Sequence, residues 1–250
     1  MIYRYVAALF IGLSALTSAH AQTRFADNDP VIFTGKSPHR YAIHGIDVAR
    51  FQHDVDWHAV QRSGVNFVFI KATEGGDLLD PQFKINWRGA RRAGIPTGAY
   101  HFYYFCTTAA TQAKWFIRNV PRRKGSLPPV LDMEWNPFSP TCTLRPPAAQ
   151  VRANAREFIR IVTAHYGTAP ILYTTPNFYV ENDMGRVKGV DFWLRTTAKT
   201  PAQAYPRAKW AFWQYTSTGV IPGIDKETDI NVFNGSAGAW KKWLSRRQQK

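Results

Sequence analysis

Short apolar runs alternate with amphipathic stretches along most of the chain, and this alternation predicts a strand–helix repeat. HGIDVARF (44–51) and NFVFIKATEG (66–75) read as the first two strands. Between them DWHAVQRSG forms a short helix stopped at Gly64, and a second helix runs from Pro81 to Arg92 before Gly94. A third strand follows at TGAYHFYYF (97–105), then a helix over AATQAKWFIRNV and a fourth strand over PPVLDMEW. The clearest helix spans Pro147 to His165, where Val151, Ala155, Phe158, Ile159 and Val162 fall on one stripe.

Beyond that helix the 3.6-residue rhythm weakens. PILYTTPNF (170–178), DFWLRTT (191–197), KWAFWQYTS (209–217) and DINVFN (229–234) read as four more strands, joined mainly by loops. Eight strands with fewer helices in the second half predict an α/β fold, an irregular (β/α) barrel formed as one domain over 41–250. An open doubly wound sheet is the competing architecture. A barrel places its chemistry at the C-terminal ends of its strands, where Asp47, Glu74, His101, Asp132, Glu134 and Asp229 fall.

The N-terminus follows a different pattern. MIYRYVAALFIGLSALTSAHA starts basic at Arg4, continues apolar from Val6 to Leu16 and ends on Ala19-His20-Ala21, so residues 1–21 read as a secretory signal peptide. The apolar run is shorter than a membrane span of ~20 residues, so stable membrane insertion is not expected. Residues 22–40 read as a polar extension packed on or trailing from the barrel. The implied destination is a periplasm or the outside of the cell, and there Cys106 and Cys142, the only cysteines, are expected to pair.

Charge adds a partner class. The chain carries +15, of which only Arg4 lies in the signal segment, leaving +14. A basic exported protein is drawn to polyanions, and composition alone leaves nucleic acid, anionic membrane and cell wall open.

The acids narrow the chemistry. In PVLDMEWNP, Asp132 and Glu134 stand two apart on a strand and so share one face. Two carboxyls held that close affect each other's ionisation, and an ionised Asp132 would keep Glu134 protonated as a general acid, an arrangement suited to glycosidic bond cleavage. A buried structural acid pair is the alternative. Aromatic residues, nine Trp among them, cluster near strand ends and offer flat faces for sugar rings or ordinary core filling. There is no G-x-S-x-G elbow, P-loop, C-x-x-C or H-E-x-x-H, so neither metal nor cofactor is expected.

Taken in order, GIDVARFQ (45–52), DW (56–57), FVFIKATEG (67–75), GAYHF (98–102), QAKWF (112–116), LDMEW (131–135) and DINVF (229–233) resemble the family 25 glycoside hydrolases, the CH-type lysozymes. The resemblance implies a muramidase that cuts the β-1,4 bond between N-acetylmuramic acid and N-acetylglucosamine in peptidoglycan, on an irregular β/α barrel. It implies that Glu134 is the general acid and that Asp132 orients the substrate's acetamido group for a substrate-assisted attack. Asp47 and Asp229 match two further active-site aspartates. His101 and Tyr173 become substrate-contact candidates, and Trp135 and Trp213 join them as aromatics beside the acids; Glu74 is assigned structural support. The segment DFWLRTTAKTP departs from the family's usual Ala and aromatic after the Trp. The polyanion narrows to peptidoglycan and the anionic wall, with no nucleic acid expected. Another N-acetylglucosaminyl hydrolase (a chitinase or endo-N-acetylglucosaminidase) and a catalytically inactive wall-binding module are the competing functions.

Overall fold

The structure, a computed structural model, describes residues 25–250, so the segment read as a signal peptide lies outside the described residues. In chain order the elements are β1 (Ala26–Asp27), β2 (His44–Val48), α1 (Trp57–Arg62), β3 (Phe67–Glu74), β4 (Leu78–Leu79), α2 (Phe83–Arg92) and β5 (Thr97–Phe102). There follow α3 (Ala109–Asn119), β6 (Val130–Met133), α4 (Ala148–Tyr166), β7 (Ile171–Thr174), α5 (Pro176–Glu181) and β8 (Phe192–Arg195). The last are α6 (Pro201–Ala204), β9 (Phe212–Val220), β10 (Thr228–Phe233) and α7 (Ala237–Arg247).

Eight strands form a ring in the order β9-β10-β2-β3-β5-β6-β7-β8, closed by pairing of β8 with β9. The open sheet is thereby excluded. Within the ring β10 alone runs against its neighbours, antiparallel to both β9 and β2. Outside it, β1 pairs with β9 and β4 with β3. Local chemistry sets the boundaries: Asp56 caps α1 through bonds from the backbone amides of His58 and Ala59, both 3.0 Å. The strand expected over 170–178 ends at Thr174, because Pro176 cannot serve a ladder and opens α5 instead.

Side-chain alternation divides the core in two. Outward residues such as Val68, Ile70, Leu131 and Leu194 pack against the helices, with Phe116, Val151 and Phe158 on the helical side. Inward residues fill the barrel, where Phe67, Phe69, Val130, Ile171, Phe212 and Phe233 form an apolar plug. Space for the two β3 rings comes from glycines on the flanking strands. A Cβ on Gly45 would stand 2.4 Å from the Phe67 ring, and one on Gly98 would stand 2.8 Å from Phe69.

The plug is sealed at one end by α7, an element concealed in the sequence by the charges of KKWLSRRQQK. Its Trp240 and Trp243 stack on each other with centroids 5.3 Å apart and meet Phe67, Phe212 and Phe233. Burial of each such ring contributes on the order of 2–3 kcal/mol. The sealed end is the N-terminal end of the parallel strands, and the barrel interior becomes polar toward the other.

Candidate active site

At the C-terminal ends of the parallel strands the polar interior opens into a cleft of about 310 Å³. Asp47 of β2, Asp132 of β6, Glu134 just beyond β6 and Asp229 of β10 all line it. The four acids singled out from the sequence therefore meet in one place.

Asp47 and Asp229 face each other directly in the antiparallel register of β2 with β10. Because β10 is reversed, an Asp at its start reaches the same level as an Asp near the end of β2. The two carboxyls lie close enough that each ionisation opposes the other. Burial, then the Asp229 charge, holds Asp47 well above the usual carboxylate range. Asp229 is pushed up to about 6 by burial, against the pull of Arg195.

A polar network fixes this pair. Asp47 Oδ2 accepts from Gln214 Nε2 at 2.9 Å and from Asn231 Nδ2 at 2.7 Å. The Tyr173 hydroxyl donates to Gln214 Oε1 at 2.9 Å, and Trp193 Nε1 donates to Asn231 Oδ1 at 2.7 Å. Each amide is held from both ends, so the Asp47 carboxyl has little rotational freedom.

The second pair is the one for which the sequence suggests a charged Asp132 beside a protonated Glu134, and both groups are raised above their ordinary values. Burial dominates at both positions. Asp132 lies well above the usual range, first through burial and then through the Glu134 charge, and its buried Oδ1 has no hydrogen-bond partner among the described residues. Glu134 is pushed up to about 7 by burial, with Arg195 and Lys71 opposing and Asp229 reinforcing the shift. A carboxyl titrating there holds its proton and can still release it near neutral pH, as a general acid requires.

Lys71 projects from β3 into the cleft but is engaged by Glu74 in an ion pair. Burial works against the Glu74 charge, yet Lys71 and a 3.1 Å bond from the Tyr104 hydroxyl outweigh it and hold the carboxyl below its ordinary value.

Of the expected substrate contacts, Tyr173 lines the cleft, while three others lie elsewhere. His101 is fully buried on the opposite face of β5, stacked on Phe158 with centroids 5.2 Å apart. Its Nε2 donates to Gln112 Oε1 at 3.0 Å, so Nδ1 accepts from Thr73 Oγ1 at 2.7 Å. Burial lowers its pKa to about 4 and keeps it neutral. It ties the barrel wall to α3. Trp135 is wedged between Phe105 and Phe178 and donates to Glu181. Trp213 is buried on the outer face of β9 against Phe33 and Tyr41, its Nε1 bonded to the Thr196 carbonyl at 2.8 Å.

The two cysteines are joined, Cys106 from the loop after β5 to Cys142 in the loop after β6, with Cα atoms 5.8 Å apart. Both loops border the open end of the barrel. Sequence reasoning missed Arg195 and Gln214 in the cleft wall and Asn231, which donates to Asp47. The signal was present: each stands two residues from another inward position, as Arg195 from Trp193, Gln214 from Phe212 and Asn231 from Phe233.

The family model described as Glycosyl hydrolases family 25 matches residues 46–224, a span that includes Asp47, Asp132 and Glu134 and stops before Asp229. Lysozyme M1 of Streptomyces globisporus is 34% identical over 205 residues, covering 78% of this chain and 69% of the relative. The solved structure of a family 25 glycosyl hydrolase from Bacillus anthracis is similar at a TM-score of 0.75 and 37% identity, over 81% of this chain and 94% of that one. A bacterial lysozyme from Streptomyces coelicolor gives 0.70 and 32%, over 80% and 95%.

Proposed function

The chain belongs to the family 25 glycosyl hydrolases, and from that premise we propose that its cleft cuts the β-1,4 bond between N-acetylmuramic acid and N-acetylglucosamine, with Glu134 as proton donor. The protein is a glycoside hydrolase of the lysozyme type, acting on peptidoglycan. The observation that carries the assignment of roles is the convergence of four acids on one cleft in which Glu134 titrates at about 7.

Glu134 gives its proton to the glycosidic oxygen as the bond to the anomeric carbon breaks. The acetamido oxygen of the muramyl ring closes on that carbon from the other face, and positive charge develops on the acetamido nitrogen. Asp132, with its buried unpartnered Oδ1, accepts the acetamido N–H and orients the group. The developing charge favours the ionised form of Asp132 that burial otherwise disfavours. Water then opens the ring, giving a proton to the Glu134 carboxylate. Asp47, pinned by Gln214 and Asn231 and in register with Asp229, presents a fixed polar wall to the sugar.

Export through residues 1–21 is part of the same reading, supported by a disulfide that suits an oxidising compartment. Attraction to the anionic wall is supported by a groove of about 490 Å³ at α2 whose lining includes Lys84, Arg88, Arg91, Arg92 and Arg123.

The test is digestion of purified peptidoglycan by the wild type and by Glu134→Gln, with identification of the new reducing-end sugar. Muramic acid ends from the wild type, reduced ~10²–10⁴-fold in the variant, support the assignment. N-acetylglucosamine ends would reassign the bond, and equal activity would remove Glu134 from its role.

A further inference from the structure

Two cations, Lys71 and Arg195, line the cleft, and the charge of Arg195 acts on Glu134, Asp229 and Asp47. Arg195 ends β8, pairs in register with Gln214 and lines the cleft with Glu134 and Asp229. Its backbone is fixed, since the Tyr205 hydroxyl donates to the Arg195 carbonyl at 2.6 Å. Yet among the described residues its guanidinium makes no hydrogen bond and no ion pair within 4.0 Å. Lys71, the other cation in the wall, is already engaged by Glu74.

A guanidinium carries five N–H donors in a planar fork matched to a carboxylate, and it stays charged at any working pH. Placed in the cleft wall with those donors unclaimed by the described residues, Arg195 is arranged to receive an anion brought by the ligand. On the reading above, the ring whose bond Glu134 protonates is the muramyl ring. The acid on that ring is its lactyl group. In intact peptidoglycan the lactyl carboxyl is an amide joined to the peptide stem and carries no charge; where the stem has been removed it is a free carboxylate.

We propose that Arg195 forms a carboxylate-binding subsite within the cleft that receives the free lactyl group of a muramyl residue, making peptide-free glycan strands the favoured substrate. The inference rests on the muramidase reading and assigns its preferred form of substrate. The reaction class upstream is hydrolysis of the amide between the lactyl carboxyl and the peptide, which creates the carboxylate that Arg195 binds.

The test compares kcat/KM on peptide-free oligosaccharides carrying the free lactyl carboxylate with the same oligosaccharides after conversion of that carboxyl to its methyl amide. A charge-assisted bond of this kind gives the wild type a preference of about tenfold or more for the free acid, expressed mainly in KM. In Arg195→Leu the ratio falls close to one, and Arg195→Lys keeps part of it. The ratio is read because loss of Arg195 also alters the proton affinity of Glu134, an effect common to both substrates. A wild-type ratio near one overturns the subsite whether or not the variants fold, as does a full preference surviving in Arg195→Leu. Cleavage of neither oligosaccharide by the wild type would overturn the muramidase reading, and the subsite with it.

Discussion

Replacing Glu134 by glutamine should stabilise the fold at alkaline pH while removing activity, and the size of the effect follows from the burial of that carboxyl. The group takes up a proton at 4.5 in its ordinary environment and at about 7 in the cleft. A carboxyl with higher proton affinity in the folded chain than in the unfolded one contributes its full stability below the lower value. That contribution is lost as pH rises through the higher one. The difference corresponds to roughly 3 kcal/mol between pH 4 and 8, reduced somewhat by the partial exposure of the side chain. A glutamine amide at this position cannot ionise and does not incur this loss. The Glu134→Gln variant should match the wild type at pH 4.5 and exceed it by on the order of 2–3 kcal/mol at pH 8, a Tm difference of roughly 5–10 °C for a chain of this size. Thermal unfolding followed by circular dichroism at pH 4.5, 6 and 8 reads it directly. Asp229, raised from 3.8 to about 6, adds to the wild type's own decline over the same range. A Tm difference that stays constant with pH, or widens toward acid, would refute the argument that burial holds the Glu134 proton.

Two further outcomes follow from the same geometry. The pH profile of wild-type kcat/KM on a soluble glycan should be bell-shaped, falling above about 7 as Glu134 loses its proton and below about 6 as Asp229 gains one; an alkaline limb two pH units higher would assign the proton to another group. Replacing both Cys106 and Cys142 by Ser opens a closure of 36 residues and should cost ~3–4 kcal/mol in the chain-entropy account, measured by urea unfolding; an unchanged midpoint would mean that the loops are held by other contacts.

Much of the barrel was legible because each wall strand is a short apolar run. Direction was not. Period-2 alternation reports which face a residue takes and nothing about which way the strand runs, so the reversal of β10 could not be read from DINVF. Helix α7 was concealed because Trp240, Trp243 and Leu244 sit among lysines and arginines. The site divides along the same physical line. Asp132 and Glu134 were legible as a pair because two residues on one strand settle the matter locally. The meeting of Asp47 with Asp229 depends on cross-strand register at the junction of the first and last strands of the ring. The misplaced aromatics share one cause: His101 lies one residue from Tyr100 and Phe102, Trp135 one from Glu134, and Trp213 one from Gln214. A shift of one position along a strand exchanges the faces of the wall. The raised proton affinity of Asp132 was not legible because sequence reveals a neighbouring carboxyl more readily than it reveals complete burial.

The register of β10 against β2 also governs when the active cleft can exist. Asn231 and the Asp47 it holds are separated by 184 residues, and Asp229 enters only with that same final strand. A chain halted before residue 229 can carry the Asp132 and Glu134 pair, but it has neither the aspartate that faces Asp47 nor the amide that orients it. Such long-range pairing is among the slowest contacts for a chain to make. Hydrolytic competence is therefore a late event in the life of each molecule, reached when the last strand docks beside the first, and nascent or partly folded chains should be inert toward glycan.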